Sequence, residues 1–292
     1  MSQTILLTGG AGNLGRMLSN ELAERGDEAL RLDIRKPGDD HGQYIEGSIL
    51  DRATLVIHLA SVDSVVHIAA WHGVHEARGW KSQDEFWELN VTGTYNVFQA
   101  CVEADVHNVV YISSSSVADK QGFYSFTKKL GEAVAQDYAQ RHGLNVIILR
   151  PRAFIPHWNR QVYASFLEWA QWFWTGAVHI DDVTQAVMQS IDLLNKGELE
   201  EALTLNVDGA YEYRDEDLAD WDQDGAGMTF RKYYQEYEEV ARKFGLDPAK
   251  QPTKMDIAET RKLLGYEPRY SLKNLLEELA QYGEEGPPGP KF

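Results

Sequence analysis

Short apolar runs alternate with stretches of helical period through the first two thirds of the chain. The runs at 5–8, 30–33, 64–70, 109–113 and 146–149 have strand length and are mostly apolar, the pattern of strands buried on both faces. Between them apolar residues recur every three or four positions, as at Leu14, Leu18 and Leu22 and again through 86–104 and 128–141, which predicts helices. Strands alternating with helices give an α/β fold of the Rossmann type, a doubly wound parallel sheet with helices on both faces. The first helix is expected to stop at Gly26, where a left-handed residue closes it. Beyond Pro151 the pattern loosens. Asp181 or Asp182 is the expected cap of a helix through Val183, Val187 and Ile191, and 203–207 reads as one more strand. Helical patterns at 233–244, 256–264 and 272–282 predict a small, mostly helical lobe over the carboxyl ends of the strands. Residues 1–150 thus read as the dinucleotide-binding half. Residues 151–282 return a strand and a helix to the sheet and form the substrate lobe. The turn-rich 283–292 is expected to fray.

Composition narrows the function classes. The chain has 292 residues and a net charge of -17, which argues against nucleic acid and anionic membranes as partners. Residues 196–224 hold eleven acidic and two basic side chains. This run reads as a solvated face, with salt adaptation or a cationic partner as the other options. The single cysteine, Cys101, permits no intrachain disulfide and reads as an unreactive buried thiol. The first strand-like residues run straight into a glycine loop without a leader pattern, and the apolar stretch 166–174 is too short to span a bilayer. A cytoplasmic protein is expected. No metal site is read from the sequence.

Candidate chemistry enters at that loop. Gly10, Gly12 and Gly15 satisfy G-x-G-x-x-G, and Gly9, Gly12 and Gly15 satisfy G-x-x-G-x-x-G. Glycine lets the backbone turn tightly and approach a pyrophosphate, while the helix amides opening at Asn13 and Leu14 face the anion. Asp33 ends the second strand, where a carboxylate can accept from the adenosine ribose hydroxyls and repel a 2'-phosphate. NAD is therefore favoured over NADP, although Arg35 and Lys36 follow closely.

A second motif, Tyr124 and Lys128 in Y-x-x-x-K spacing, sits at the start of a helix pattern, so phenol and ammonium share one face. The Lys128 charge, with the nicotinamide ring when NAD is bound, would favour the phenolate, allowing Tyr124 to take a proton from a substrate hydroxyl. Lys128 can also hold the nicotinamide ribose. The strand before this motif opens into the serines 113–116, which puts a hydroxyl at the carboxyl end of the sheet to orient the substrate oxygen.

These motifs, in this order, resemble the extended short-chain dehydrogenase/reductases, specifically the NAD-dependent epimerase/dehydratase family. Further matching segments are VHIAA at 66–70, NVTGT at 90–94, LRP at 149–151, VHIDDV at 178–183 and LGYEP at 264–268. The resemblance implies that Ser114, three residues before Val117, is the active-site hydroxyl, with Ser115 and Ser113 as alternatives. It also implies that Ala69, Ala70 and Asn90 line the cofactor and that Ser48 and Ile49 contact the adenine, although the family usually has an acidic residue where Ser48 stands. It implies a homodimer through the helices bearing Asn90 and Tyr124.

Departures from the family bear on substrate. Only ten positions separate Ser114 from Tyr124, so a rim loop is shortened. Arg152-Ala-Phe-Ile-Pro156 replaces the usual N-x-Y-G-P, and an aromatic stretch with Trp158, Phe166, Trp169, Trp172, Phe173 and Trp174 follows. That stretch reads as core. Ser115 and Ser116 stand where dehydratases place acids. The chain is also similar to uronate dehydrogenases, so a small-sugar or sugar-acid dehydrogenase is the leading reading. A sugar-nucleotide 4-epimerase that retains NAD is the alternative, and a non-catalytic dinucleotide sensor is disfavoured by the retained Tyr124 and Lys128. His72, His75, Arg78, Ser115 and Arg152 are the candidate substrate contacts, the first two with the arginines forming an anion- or hydroxyl-binding pocket. The competing reading has the histidines and Arg78 merely solvating their loop.

Overall fold

The protein is described here by a computed structural model that covers residues 2–119, 122–197 and 199–290. In chain order the elements of the sheet half are β1 (Thr4–Thr8), α1 (Asn13–Arg25), β2 (Glu28–Asp33), β3 (Gln43–Glu46), α2 (Arg52–Leu59), β4 (Ser64–His67), α3 (Gly73–Ala77), α4 (Gln83–Phe86), α5 (Gly93–Glu103), β5 (Asn108–Ile112), α6 (Phe123–His142) and β6 (Asn145–Pro151). There follow α7 (Phe166–Phe173), α8 (Ile180–Leu194), β7 (Leu203–Val207), α9 (Asp215–Ala219), α10 (Met228–Tyr234), α11 (Glu238–Lys243), α12 (Ala258–Leu264) and α13 (Leu272–Tyr282). The seven strands form one sheet in the order β3-β2-β1-β4-β5-β6-β7, and every pairing is parallel. Strand order reverses between β1 and β4, so a crevice opens at their carboxyl ends, where Thr8 lies beside His67. Ligands of such sheets bind there.

The near-continuous apolar strands are explained by cover on both sides. One face packs Leu14, Leu18 and Leu22 of α1 with Val183, Val187 and Ile191 of α8. The other packs Leu55 of α2, Val97 and Phe98 of α5 and Ala135 of α6. Cys101 is fully buried in that second layer, and burial pushes its thiol up to about 12, which removes it as a nucleophile at neutral pH. Gly26 closes α1 at φ 84, as its position after the last apolar repeat requires.

Several expectations need correction. β3 is a short edge strand whose only buried residue is Ile45, too little apolar signal to be recognised. β4 ends at His67 rather than residue 70, because the amides of Ile68 and Ala69 turn to the Thr8 hydroxyl at 3.1 and 3.3 Å. The cap of α8 is His179, whose ring accepts from the Asp181 amide at 3.3 Å. Asp182 instead accepts from the amides of Arg269 and Tyr270 at 2.7 and 3.2 Å, which ties the last segment to the sheet half. The helix expected through 233–244 is broken at 235–237 by a tighter turn.

The aromatic stretch is core. Phe166, Trp169, Phe173 and Trp174 are buried with Tyr213, Phe230, Tyr234 and Leu276 in a third cluster that forms the lobe. Where it is described, the tail lies against the lobe and the segment after β6. Gly286 lies so close to Phe166 that a β-carbon there would come within 2.2 Å of the ring, and Gly289 packs on Trp158. The acidic run is only partly solvated: Asp215 pairs with Lys254, Asp217 with Lys232, and Glu212 accepts from Tyr234 and Ser271. No helix among the described residues is long and apolar enough to cross a membrane.

Candidate active site

The glycine loop folds as its composition requires. Gly9 adopts φ +70 with its α-carbon against the Ala69 backbone, a β-carbon on Gly10 would fall 2.7 Å from the Arg31 side chain, and one on Gly15 would fall 2.7 Å from Gly10. Both overlapping glycine spacings are therefore used, one for the turn and the other for close packing. α1 opens at Asn13 with no acidic residue in its first turn. The amides of Asn13, Leu14 and Gly15 have no carbonyl within the helix to bond and form a site for an anion. Asp33 sits beside the loop and is mostly buried. Its carboxylate accepts from the Ala11 amide at 3.0 Å and the Arg35 amide at 2.9 Å, which fixes it against the glycine turn. Gly47 bonds the Asp33 carbonyl at 3.1 Å and leads into Ser48 and Ile49. The Ser48 hydroxyl accepts from the Leu50 amide and the Ile49 carbonyl accepts from Asn96. Glycine loop, carboxylate and Ser48 turn thus lie along one edge, an arrangement that fits a dinucleotide.

A buried polar chain joins this edge to the second motif. Thr94 donates to the Asn90 carbonyl at 2.7 Å, so the His67 Nε2, at 3.0 Å, must carry the proton given to the Thr94 hydroxyl oxygen. Nδ1 is then an acceptor, receiving the Thr8 hydroxyl at 2.8 Å, and Thr8 is free to accept the two amides after β4. Burial and the nearby Lys128 hold His67 down to about 3, in keeping with this neutral tautomer. Asn90 lies in a π-helical turn, Trp87–Thr92, a local widening common at functional sites. It clamps the backbone of Trp71 through both amide atoms, at 2.7 and 3.0 Å, and donates to Thr127 at 3.1 Å. Thr127 donates in turn to the Tyr124 carbonyl at 2.8 Å.

Tyr124 and Lys128 stand on the first turns of α6. Their surroundings differ from the expected ammonium-poised phenolate. Burial pushes the Tyr124 phenol up to about 12, opposed only by its hydrogen bond with Ser114. Burial also brings the Lys128 ammonium down to about 7, with Glu132 working the other way. Lys128 Nζ donates to the Ile112 carbonyl at 2.8 Å and lies 5.1 Å from the Tyr111 ring. For both groups desolvation is the larger influence: it outweighs Ser114 at the phenol and Glu132 at the ammonium.

The serine run is now resolved by contacts. Ser113 donates to Glu132 at 2.5 Å, and Glu132 is ion-paired with Arg150 at 2.6 Å, so Ser113 is committed elsewhere. Ser114 faces Tyr124 and caps the 3-10 turn Ser115–Ala118 by accepting from Ser116 at 3.1 Å. Ser115 is half-buried in that turn.

Of the four proposed pocket residues, two come together. His72 and His75 stack at 5.6 Å at the start of α3, and burial brings His72 down to about 3 and lowers His75 as well. Both are neutral near pH 7, which suits the hydroxyl-binding form of the expected anion- or hydroxyl-binding pocket better than the anion-binding one. Arg78 turns outward to Glu168 of the lobe at 4.0 Å. Arg152 is consumed by Asp208 at 3.4 Å, Tyr211 at 3.1 Å and Thr253, so it locks β6 to β7 and the 253 loop instead of joining the histidines. Glu76, which sequence reasoning missed, accepts the amides of Phe123 and Tyr124 at 2.6 and 3.0 Å and caps α6 from a distant segment. Nothing local to Glu76 announces that role.

Sheet order, glycine loop and a Tyr-Lys helix together are the features of the short-chain dehydrogenase/reductase class. Its family model, the NAD dependent epimerase/dehydratase family, matches residues 5–161, and the chain belongs to that family, whose cofactor is NAD. The L-arabinose 1-dehydrogenase (NAD(P)(+)) of Haloferax volcanii is 30% identical over 173 residues, covering 50% of this chain and 65% of that protein. A UDP-glucose 4-epimerase of Klebsiella pneumoniae is 30% identical over 131 residues, 40% of this chain and 93% of its own. The chain covers between 46% and 65% of the length of the first curated relatives it matches. Among solved structures, the UDP-glucuronic acid 4-epimerase of Bacillus cereus in complex with UDP-glucuronic acid and NAD superposes with a TM-score of 0.69 at 21% identity, over 96% of this chain and 98% of that one. This likeness shows a shared fold.

Proposed function

We propose that this protein is an NAD-dependent dehydrogenase that oxidises a hydroxyl-bearing carbon of a small sugar or sugar acid. The observation that carries the reading is the Tyr124 phenol one turn before Lys128 on α6, with the Ser114 hydroxyl near enough to oppose the effect of burial on it. Gly9, Gly12, Asn13, Leu14 and Gly15 would hold the pyrophosphate, Asp33, Ser48 and Ile49 the adenosine, and Ala69, Ala70, Asn90 and Lys128 the nicotinamide end. Bound NAD supplies the two-electron acceptor and brings a cationic ring to the site. That charge would favour the phenolate, the phenol's own proton passing to solvent, and the Tyr124 phenolate would then take the substrate hydroxyl proton at its oxygen. Ser114 donates to the same substrate oxygen and keeps it in line with the phenol. His72, neutral, offers a hydrogen bond to a neighbouring hydroxyl.

A small substrate is supported by the segment after β6, where Phe166, Trp169 and Phe173 are turned into the lobe core. The sugar-nucleotide 4-epimerase reading is supported by the Klebsiella relative, of which the match covers nearly the whole length. Purified protein screened with NAD against uronates, aldoses, threonine and UDP-sugars decides between them. Absorbance of NADH rising with a free sugar is the expected result. Tightly retained NAD with sugar-nucleotide interconversion and no net NADH would replace the dehydrogenase by the epimerase.

A further inference from the structure

The middle of β2 carries a charge inward. Arg31 is fully buried, between neighbours on the strand that are apolar. Its Nε donates to the Gly10 carbonyl at 2.9 Å, and Nη1 donates to the His41 carbonyl at 2.7 Å and to Asp39. The Asp39 side chain is itself inaccessible and also takes Arg16 Nε at 2.8 Å. The two guanidinium groups hold the Asp39 carboxyl below its ordinary range despite burial. The Arg31 guanidinium thus lies buried directly behind the glycine loop and is tied to it through the Gly10 carbonyl. Burying such a group costs several kcal/mol unless every donor is matched, so a fold that keeps it needs a reason.

The geometry of the loop suggests that reason. Arg31 draws the Gly10 carbonyl toward β2, and the next amide, on Ala11, is thereby presented to Asp33 at 3.0 Å. With the Gly10 carbonyl held inward, no carbonyl oxygen of that peptide faces the anion site at the start of α1. We infer that Arg31 and Asp39 are positioning residues for the dinucleotide: they hold the glycine loop in its phosphate-receiving form. The inference rests on the NAD reading above. It also couples the β2–β3 connection, which carries Asp39 and His41, to cofactor binding.

The test pairs Arg31→Met with Asp39→Leu, since replacing both members of a buried ion pair by apolar groups commonly preserves folding. Dissociation constants for NADH and for ADP-ribose, which lacks nicotinamide, are measured by calorimetry beside thermal melting. Loss of one charged hydrogen bond to the loop is expected to weaken both ligands about tenfold or more. A folded double variant that binds both ligands within about twofold of wild type overturns the inference and leaves the NAD reading intact. Wild type that binds neither NADH nor ADP-ribose overturns both. Should the double variant fail to fold, hydrogen exchange of wild type decides: ADP-ribose is expected to protect residues 34–42, and no added protection there refutes the coupling.

Discussion

Replacing Lys128 by methionine should make the protein more stable in a way that fades as pH rises. Lys128 titrates near 10.5 when unfolded and is brought to about 7 in the folded chain by burial. Between those values unfolding takes up a proton, so stability rises with pH across the window. Below pH 7 the ammonium is present in both states, and its burial costs in full about 5 kcal/mol at about 1.4 kcal/mol per pH unit. Above about pH 10.5 that cost has vanished. Integrated from pH 6 to pH 9, the wild type should gain about 2.5 kcal/mol that the methionine variant does not. The variant also leaves the Ile112 carbonyl without its donor, a loss of about 1–3 kcal/mol that is independent of pH and cancels in the comparison. The groups facing Lys128 do not interfere, since His67 and His72 stay neutral down to about 3, Tyr124 stays protonated to about 12, Tyr111 lies higher still, and Glu132 is paired with Arg150. Urea unfolding of nucleotide-stripped protein at pH 6 and pH 9 reads the effect as a change in the gap between the two midpoints of about 1 M. A gap that is the same at both pH values would refute a desolvated Lys128.

Tyr124→Phe should lower kcat by about 10²–10⁴ while leaving the NADH dissociation constant and the melting temperature unchanged; an active variant would remove Tyr124 as the base. NADH should bind more tightly than NADPH, and Asp33→Ser should narrow the difference, because the carboxylate that repels a 2'-phosphate is gone; tighter NADPH binding by wild type would contradict the placement of Asp33. Trp87, Tyr95 and Phe126 are exposed on the helical layer bearing Asn90 and Tyr124, so Phe126→Glu is expected to convert a homodimer into monomer by light scattering. A wild-type monomer at micromolar concentration would dispose of the dimer.

The fold was largely legible because its signals are local. Strands at 5–8, 109–113 and 146–149 are almost wholly apolar since both faces are covered, and α1 runs from a glycine loop to a left-handed Gly26. β3 escaped because an edge strand needs little apolar surface, and only Ile45 is buried in it. The caps of α8 and α6 escaped for another reason. His179 acts where two aspartates follow it, and Glu76 reaches α6 from a segment 47 residues earlier, so neither pairing is visible before the chain closes.

The same division explains the site. Residues whose backbone does the work, the glycines and the turn at Ser48, are readable because conformation selects their type. Side chains chosen for charge are harder, since their partners decide what they do. Arg152 looked like a substrate contact from its place after β6, yet Asp208, Tyr211 and Thr253 take its donors. Arg31, the single positive charge in the run 30–33, reaches the loop that Asp33 also holds. Lys128 looked like a permanent cation, whereas burial puts its titration within reach of neutral pH. Its charge there depends on how far the cavity excludes water, so a bound dinucleotide that seals the cavity would alter the protonation of Lys128 and Tyr124 together. A base poised in this way responds to cofactor occupancy, which a spacing motif does not encode.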